Sequence, residues 1–487
     1  MPRRAALAVL AALTPSAGRG VTPRSLPACR GCSVLLVSID TLRADELGLY
    51  GYPRPTSPNL DALAKTGVVF LDAYSHVPDT RPSNVSLFTS QYPWVHGVQR
   101  GGRRGLAPNT PTLASVLRAH GYLTAWAGTP DEHTGYVPGL SAAFNAVVAP
   151  RDWKRDWNGA LDWIDQNRAR PFFLFLHTWS AQSPYMPSRA AARRFLPRPP
   201  PGVAYSRSAV ERRAARLAVA QARRLLPLRS ILLHPGIFLS ATPRWDEIAP
   251  LLDDSGRVES WKVLDHAFWS QFDLRRPRDR AAVRAIYDAS VFDADRDIGR
   301  LLRRLRRDGL TRRTLIVICS DHGEAFGEHG TWRHGHGGNV YSQALHIPLI
   351  FAFPGGRPRR RVPGAVQTID VSPTILAALG LAAPASFQGR SLLPLMAGRG
   401  SSREWAFSRW RGNAAARGPR YDCVFKNYDA RPGYPSTRPS VELYQRAEDP
   451  GERDDLAARK SADAAACEAR AEAAFANESA PSAGGRK

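Results

Sequence analysis

Short apolar runs, each ended by a polar turn, dominate the hydrophobic pattern of the chain. Ser33–Ile39 is a continuous run rich in β-branched residues, and it closes at Asp40. Similar runs cover residues 171–179, 314–320 and 347–353. Such runs are typical of strands that are buried on both faces of a parallel sheet.

Helical patterns separate these strands. Apolar residues recur at helical spacing in residues 59–65, 112–120, 157–167 and 284–307. This alternation predicts an α/β fold, a three-layer α/β/α sandwich with a mostly parallel central sheet. In such sheets ligands bind beyond the carboxyl ends of the strands, so we expect Asp40 to share one sheet edge with the Asp321–His322 pair.

Changes in composition predict the domain boundaries. We expect a signal peptide and linker over residues 1–28 and a main α/β domain over 33–398. A small C-terminal α+β subdomain follows over 399–460, and a largely disordered tail over 461–487. Within the main domain, 189–280 is interpreted as a variable insertion that begins with an Arg-rich segment, 189–229. A solvated charged helix is the favoured interpretation of that segment, and contact with a membrane surface or an anionic polymer is the alternative.

The N-terminus has the layout of a secretory signal. Two arginines precede an apolar run over residues 5–13, which is too short to span a bilayer, and small residues follow. We therefore predict export to a periplasmic, extracellular or membrane-anchored location, with a frayed helix as the alternative. Whether the segment is cleaved, or is a lipoprotein signal ending at Cys29, stays open.

Five cysteines add little chemistry. Cys29 and Cys32 form a C-x-x-C without a second pair at zinc spacing, so a local disulfide is favoured over a metal site. Cys423 and Cys467 are able to pair in an oxidising compartment.

Composition excludes some classes of protein. The chain has 487 residues, of which 43% are hydrophobic, and this excludes wholesale disorder. Its formal net charge of +24 comes mainly from arginine. No nucleic-acid-binding module accompanies that charge, so no nucleic-acid partner is expected, and an anionic small molecule is the expected partner.

The candidate chemistry lies at the strand ends. Asp40, Asp321 and His322 offer two carboxylates and an imidazole, which suit one divalent cation. The imidazole favours manganese or zinc, with calcium or magnesium as alternatives. Thr80 opens the segment TRPSNVSLFTS, where a helix N-terminus and a cation would favour its alkoxide. A capped surface helix with Ser83 as N-cap is the alternative.

These residues stand in motifs that resemble the sulfatase family of the alkaline phosphatase superfamily. The resemblance covers about 33–460 and is carried by segments such as LLVSIDTLRADELGLYGY, TRPSNVSLFTSQYPWVHGV, TLIVICSDHGEAFGEHG, HIPLIFAFPG and ELYQRAEDPGERDDLA. It implies metal-dependent hydrolysis or transfer of sulfate or phosphate esters. By the same resemblance, Thr80 is the nucleophile in a variant without formylglycine, because the family's cysteine is absent.

The resemblance also assigns roles to other residues. Asp40, Thr80, Asp321 and His322 match metal-binding positions, although the second aspartate of the arylsulfatase pair is Thr41 here. His336 and Asn84 are expected to assist catalysis. The expected substrate contacts are Arg81, Gln182, Thr129, Arg333 and His334, the last competing with His336.

Three positions depart from the family's pattern. Asn84 replaces an arginine, Thr129 a lysine and Gln182 a histidine, so three charged contacts to the substrate oxyanion are lost or neutral. A threonine nucleophile also favours phosphate or phosphonate esters, because a sulfated threonine lacks the elimination route of formylglycine. The alternative function is a degenerate, non-catalytic protein that binds an anionic glycan or lipid. For His76, His96, His177 and His329 a structural role is favoured over metal ligation.

Overall fold

The computed structural model describes the chain from Cys29 onward, with gaps. The described residues are 29–98, 105–128, 137, 139–148, 157–198, 200–214, 260–330, 339–356, 359–426 and 440–476. The predicted signal segment lies outside them, so export stays a prediction. No helix in the described part is long and apolar enough to cross a membrane.

Eight strands of the described chain form the central sheet, in the order β4-β3-β5-β1-β6-β7-β2-β8. Their bounds are β1 Ser33–Ile39, β2 Val68–Tyr74, β3 Leu123–Ala127, β4 Ala146–Val148, β5 Phe172–Thr178, β6 Thr314–Cys319, β7 His346–Ala352 and β8 Arg360–Gln367. All neighbours pair in parallel except β7, which runs antiparallel to both β6 and β2. The prediction of a mostly parallel sheet is confirmed.

The register of the central strands sets the position of the site. Ser38 of β1 pairs with Cys319 of β6 on one side and with His177 of β5 on the other. Asp40 and Asp321 each follow two residues after these paired positions. Both aspartates therefore lie at one carboxyl edge, as the apolar pattern predicted.

Helices cover both faces of the sheet. They are α1 Pro58–Ala64, α2 Thr80–Thr89, α3 Pro93–His96, α4 Leu113–Ala119, α5 Asn158–Asn167, α6 Arg189–Phe195, α7 Ser260–Trp269, α8 Pro277–Arg307, α9 Ser342–Leu345, α10 Val371–Ala378, α11 Leu393–Met396 and α12 Ser461–Ala476.

Alternating residues of β1 produce the three layers. Leu35 and Val37 are buried in a cluster with Ile286 of α8, whereas Leu36 is buried in a second cluster with Phe88 of α2. Since successive side chains of a strand point to opposite faces, one strand supplies both hydrophobic cores. The central sheet is therefore the middle layer of an α/β/α sandwich.

The C-terminal subdomain is an antiparallel sheet with one helix. Its strands are β9 Ala406–Trp410, β10 Asn413–Arg417, β11 Tyr421–Lys426 and β12 Ser440–Gln445. A disulfide between Cys423 and Cys467 joins β11 to α12, and Phe475 of α12 is buried in the same cluster. The prediction of a largely disordered tail is therefore wrong for Ser461–Ala476, where apolar residues at helical spacing pack on the sheet. Residues 477–487 lie outside the described part.

The Arg-rich segment lies partly within the described residues. Ala191 and Phe195 of α6 pack against Ala289 of α8, so the start of the insertion lies along the flank of the sandwich. Residues 207–214 are helical, as predicted, and 215–259 are not described. Cys29 and Cys32 form the predicted local disulfide.

Candidate metal and nucleophile site

Three side chains from neighbouring strands meet at the carboxyl edge of the sheet. Asp40 follows β1, His177 lies in β5 and Asp321 follows β6. One possible ligand atom from each lies within 4.8 Å of the other two, and all three residues are buried. The sheet thus brings together two carboxylates and an imidazole at one buried point.

The backbone around the carboxylates is tightly constrained. Thr41 has a φ of 60°, which is uncommon for a β-branched residue. Its N–H donates to Asp321 Oδ1 at 3.3 Å, and its hydroxyl donates to the carbonyl of Ala181 at 2.9 Å. Gly323 lies so close to the next segment that a Cβ would be 2.1 Å from the carbonyl oxygen of Gln343. These contacts fix the turns that carry both aspartates.

Thr80 is the first residue of helix α2. Asp79 is the N-cap and accepts a hydrogen bond from the N–H of Arg81 at 3.3 Å. The alternative that Ser83 caps this helix is wrong, because Ser83 lies inside it and its hydroxyl donates to the carbonyl of Asp321 at 2.7 Å. The helix N-terminus therefore presents Thr80 to the buried cluster.

The hydroxyl of Thr80 is within reach of the predicted ligands. Its Oγ1 lies 3.1 Å from His322 Nε2, and 3.5 and 3.4 Å from the two carboxylate oxygens of Asp40. His322 Nδ1 is 2.8 Å from the carbonyl of Gly323, which only a protonated Nδ1 satisfies. In that neutral tautomer, Nε2 has a lone pair directed at the Thr80 hydroxyl.

Burial and neighbouring charges shift the pKa values of the two aspartates in opposite directions. Burial, followed by the charges of Asp321, Glu324 and Asp79, raises the pKa of Asp40 well above its usual value. Burial also opposes ionisation of Asp321, but His322 and His177 outweigh it and lower the pKa of Asp321. The pair is thus electrostatically strained without a cation, which is the environment that a divalent ion stabilises.

The side chains fit a divalent metal ion. Asp321 Oδ2 and both ring nitrogens of His177 are buried and have no hydrogen-bond partner among the described residues. His177 Nε2 lies 3.9 Å from one carboxylate oxygen of Asp40 and 3.9 Å from one of Asp321. Unpaired buried donors and acceptors are costly unless a ligand satisfies them. Asp40, His177 and Asp321 are therefore a candidate metal triad.

His177 is the residue that the sequence analysis assigned differently. We expected a structural, hydrogen-bonding histidine, but neither ring nitrogen is bonded within the described chain. His322, which we expected to be a ligand, lies 3.7 Å from Asp40 and 3.5 Å from Asp321, besides contacting Thr80. His96 does have the expected structural role, with contacts to the Ser86 hydroxyl and the Val98 N–H.

The remaining predicted residues are only partly described. Asn84 lies one turn after Thr80 in α2, and its buried amide has no hydrogen-bond partner in the described chain. Arg81 is buried in the first turn of the same helix. Gln182 accepts a hydrogen bond from the N–H of Ser183 at 3.0 Å. Four further predicted residues lie outside the described part of the chain: Thr129, Arg333, His334 and His336.

Comparison with known families agrees with this architecture. The family model described as sulfatase matches residues 33–381. The chain belongs to the sulfatase family. A second model, described as the C-terminal part of N-sulphoglucosamine sulphohydrolase, matches residues 327–473, which include the C-terminal subdomain of this sulfatase-family chain.

Similar proteins include sulfatases of vertebrates. Arylsulfatase K of Mus musculus is 24% identical over 385 residues, a match that covers 72% of this chain but only 61% of the relative. Steryl-sulfatase of Mus musculus is 27% identical over 487 residues, covering 89% of this chain and 76% of the relative. These identities place the chain among distant members of the family.

Solved structures share the fold. The phosphonate monoester hydrolase of Agrobacterium radiobacter has a TM-score of 0.66 at 21% identity, covering 92% of this chain and 96% of that one. A protein solved with its substrate D-glucosamine-2-N,6-O-disulfate has a TM-score of 0.67 at 18% identity, covering 93% and 99%. Both belong to the structural class that the sequence resemblance implied.

Proposed function

We propose that this chain is a metal-dependent hydrolase or group transferase for anionic esters, with Thr80 as the nucleophile. The observation that carries the proposal is the position of Thr80 Oγ1, 3.1 Å from His322 Nε2 and about as close to Asp40. A helix N-terminus and a buried carboxylate–imidazole cluster are the surroundings in which a hydroxyl becomes nucleophilic.

Asp40, His177 and Asp321 would hold the divalent ion. His322 Nδ1 donates to the carbonyl of Gly323, so only Nε2 has a lone pair, and we assign that lone pair to the Thr80 proton rather than to the metal. The ion would supply Lewis acidity that lowers the hydroxyl pKa and neutralises charge on the ester oxygens. The two carboxylates together with an imidazole favour manganese or zinc.

The reaction begins with transfer of the Thr80 proton. His322 Nε2 accepts this proton as Thr80 Oγ1 forms a bond to the phosphorus or sulfur atom. The bond between that atom and the leaving-group oxygen breaks, and the leaving group departs with the electron pair. Water, or an acceptor hydroxyl in a transferase, then displaces threonine and restores its hydroxyl group.

Asn84 is the expected contact to the reacting group. Its amide is buried one turn along the helix from Thr80 and has no hydrogen-bond partner in the described chain, which leaves the amide able to donate to a substrate oxygen. A neutral amide stabilises less anionic charge than the family's arginine. This favours phosphonate monoesters and phosphodiesters, which carry one negative charge, over dianionic phosphate monoesters.

Turnover of three nitrophenyl esters tests the proposal. We expect metal-dependent release of nitrophenol from a phosphonate monoester and a phosphodiester, and slower release from the sulfate ester. Thr80→Ala abolishes turnover, whereas Thr89→Ala, a matched change in the same helix, retains it. Thr89 donates only to the carbonyl of Val85, at 2.7 Å, and thus controls for a general effect on the helix.

Two outcomes contradict parts of this function. Faster release from the sulfate ester would make sulfate the preferred group. An absence of turnover with manganese, zinc, calcium or magnesium, combined with retained binding of an anionic glycan, would favour the non-catalytic alternative.

A further inference from the structure

The C-terminal subdomain holds the segment that leads into the nucleophile helix. This segment, residues 75–79, joins the end of β2 to the start of α2. The hydroxyl of Ser408, in β9, donates to the carbonyl of Ser75 at 2.8 Å. The N–H of Arg409, the next residue of β9, donates to the carbonyl of His76 at 3.1 Å. Strand β9 therefore fixes the backbone just before the helix whose first residue is the proposed nucleophile.

Buried hydroxyl groups continue this contact to a turn that carries a metal ligand. The hydroxyl of Ser75 lies 3.2 Å from that of Ser83, in the first turn of α2. Ser83 in turn donates to the main-chain carbonyl of Asp321 at 2.7 Å. The hydrogen between the two hydroxyls therefore comes from Ser75, which shares it with the carbonyl of Val77 at 2.9 Å. Ser408, Ser75 and Ser83 are called the serine chain below.

The serine chain is fully enclosed by protein. None of its three members is more than 1% exposed. Hydrogen bonds in such surroundings are stronger than in water, and losing one leaves a buried polar group without a partner. The serine chain is therefore a firm connection between β9 and the turn after β6.

The bond between Ser83 and Asp321 joins the two sides of the proposed reaction. Helix α2 connects Ser83 to Thr80, and His322, the proposed proton acceptor, directly follows Asp321. A shift of α2 relative to this turn would change the 3.1 Å distance between Thr80 Oγ1 and His322 Nε2. Misplacement of a reacting group by about 1 Å is able to slow catalysis by up to about 100-fold.

We propose that Ser408, Ser75 and Ser83 are positioning residues, which hold the Thr80 hydroxyl against its proton acceptor. The C-terminal subdomain thereby contributes to the rate of group transfer through Ser408, although this residue acts only through others. The inference rests on the proposed function, because it requires Thr80 to be the nucleophile.

The test compares Ser83→Ala with Ser86→Ala in the full chain, at saturating metal and with the nitrophenyl phosphonate as substrate. Ser86 is a matched control because it is equally buried in the same helix, and its hydroxyl contacts His96 Nε2 at 3.0 Å instead of Asp321. Thermal unfolding is expected to show similar losses of stability in the two variants. Ser83→Ala is expected to lower kcat, and the single-turnover rate of phosphonyl transfer to Thr80, about tenfold, with less than about a twofold change in KM. Ser86→Ala is expected to keep the kcat of the parent protein.

Ser408→Ala tests the contribution of the C-terminal subdomain. It is expected to lower kcat about threefold, since it loosens the helix only through Ser75. The double variant with Ser83→Ala is expected to be no slower than Ser83→Ala alone, because both changes interrupt the same chain of contacts.

Three results would overturn the inference. They are an equal kcat in Ser83→Ala and Ser86→Ala, a parental kcat in Ser408→Ala, and a double variant whose loss is the product of the two single losses. Thr80→Ala in the same assay separates this failure from that of the proposed function. If Thr80→Ala is inactive, only the positioning inference falls, whereas turnover by Thr80→Ala would overturn both.

Discussion

Replacing Asp40 by asparagine is expected to stabilise the metal-free protein while abolishing tight metal binding, because burial and neighbouring carboxylates raise the pKa of Asp40. Ligand atoms of Asp40 and Asp321 lie within 4.8 Å of each other. At an effective dielectric constant of about 20, two unit charges at that distance repel by about 3.5 kcal/mol. Proton uptake by Asp40 relieves part of this repulsion, so we expect a gain of about 2 kcal/mol.

The hydrogen bonds of Asp40 are compatible with this change. The Thr80 hydroxyl lies 3.5 and 3.4 Å from its two carboxylate oxygens, and the asparagine carbonyl is able to accept from the same hydroxyl. Asparagine also has nearly the same shape as aspartate. The substitution therefore removes charge with little loss of packing.

Thermal unfolding at neutral pH, with chelator and then with saturating manganese or zinc, measures the effect. In chelator, Asp40→Asn is expected to melt about 3 °C above the wild type. With metal the wild type gains about 4 kcal/mol if the ion is about 1,000-fold above its dissociation constant, and the variant gains much less. His177→Ala is the contrasting control, since it removes a ligand but leaves both carboxylates. The reasoning is refuted if Asp40→Asn melts below the wild type in chelator, or if metal stabilises both equally.

Three other changes test separate parts of the molecule. Asn84→Ala is expected to lower kcat about 100-fold with a change of under about 1 kcal/mol in unfolding free energy, and a large loss of stability instead would assign the amide a structural role. Burial lowers the pKa of His96 to about 3, so the neutral ring that contacts Ser86 contributes stability that is lost as pH falls below about 6.5. The unfolding free energy, measured by chemical denaturation at several pH values from 7 to 4, should depend less steeply on pH in His96→Gln, by about 1.4 kcal/mol per pH unit. An equal pH dependence in the variant and the wild type would contradict this. Cys467→Ser opens a disulfide to Cys423 across 44 residues and should cost up to about 4 kcal/mol, whereas an unaltered denaturation midpoint would show that the two thiols are unpaired.

The sequence was enough to predict that Asp40 and Asp321 lie at the same edge of the sheet, because this prediction required only two features of the chain. A continuous apolar strand ended by a polar turn occurs at both Asp40 and Asp321, and parallel strands place such ends together. The strand that includes His346–Ala352 was also expected, but its direction was not, since an apolar run is the same read either way. It runs antiparallel to its neighbours.

His177 was assigned a structural role because its environment depends on register. It occurs within the apolar strand Phe172–Thr178, where a lone histidine usually has a structural hydrogen bond. Only its pairing with Ser38 places it beside the carboxylates. The helix Ser461–Ala476, by contrast, was predictable, because apolar residues recur at helical spacing around Cys467. We interpreted it as part of a disordered tail because the residues that follow it are polar.

The most direct test of the account is to locate the group transferred from substrate during turnover. Metal-loaded protein would be mixed with the nitrophenyl phosphonate, quenched within the first turnovers and digested, and the peptide masses compared with those of Thr80→Ala. The account predicts one added phosphonyl group on Thr80, no addition in the variant, and a loss of at least about 1,000-fold in its turnover. A modified residue other than Thr80, or wild-type turnover by Thr80→Ala, would contradict it.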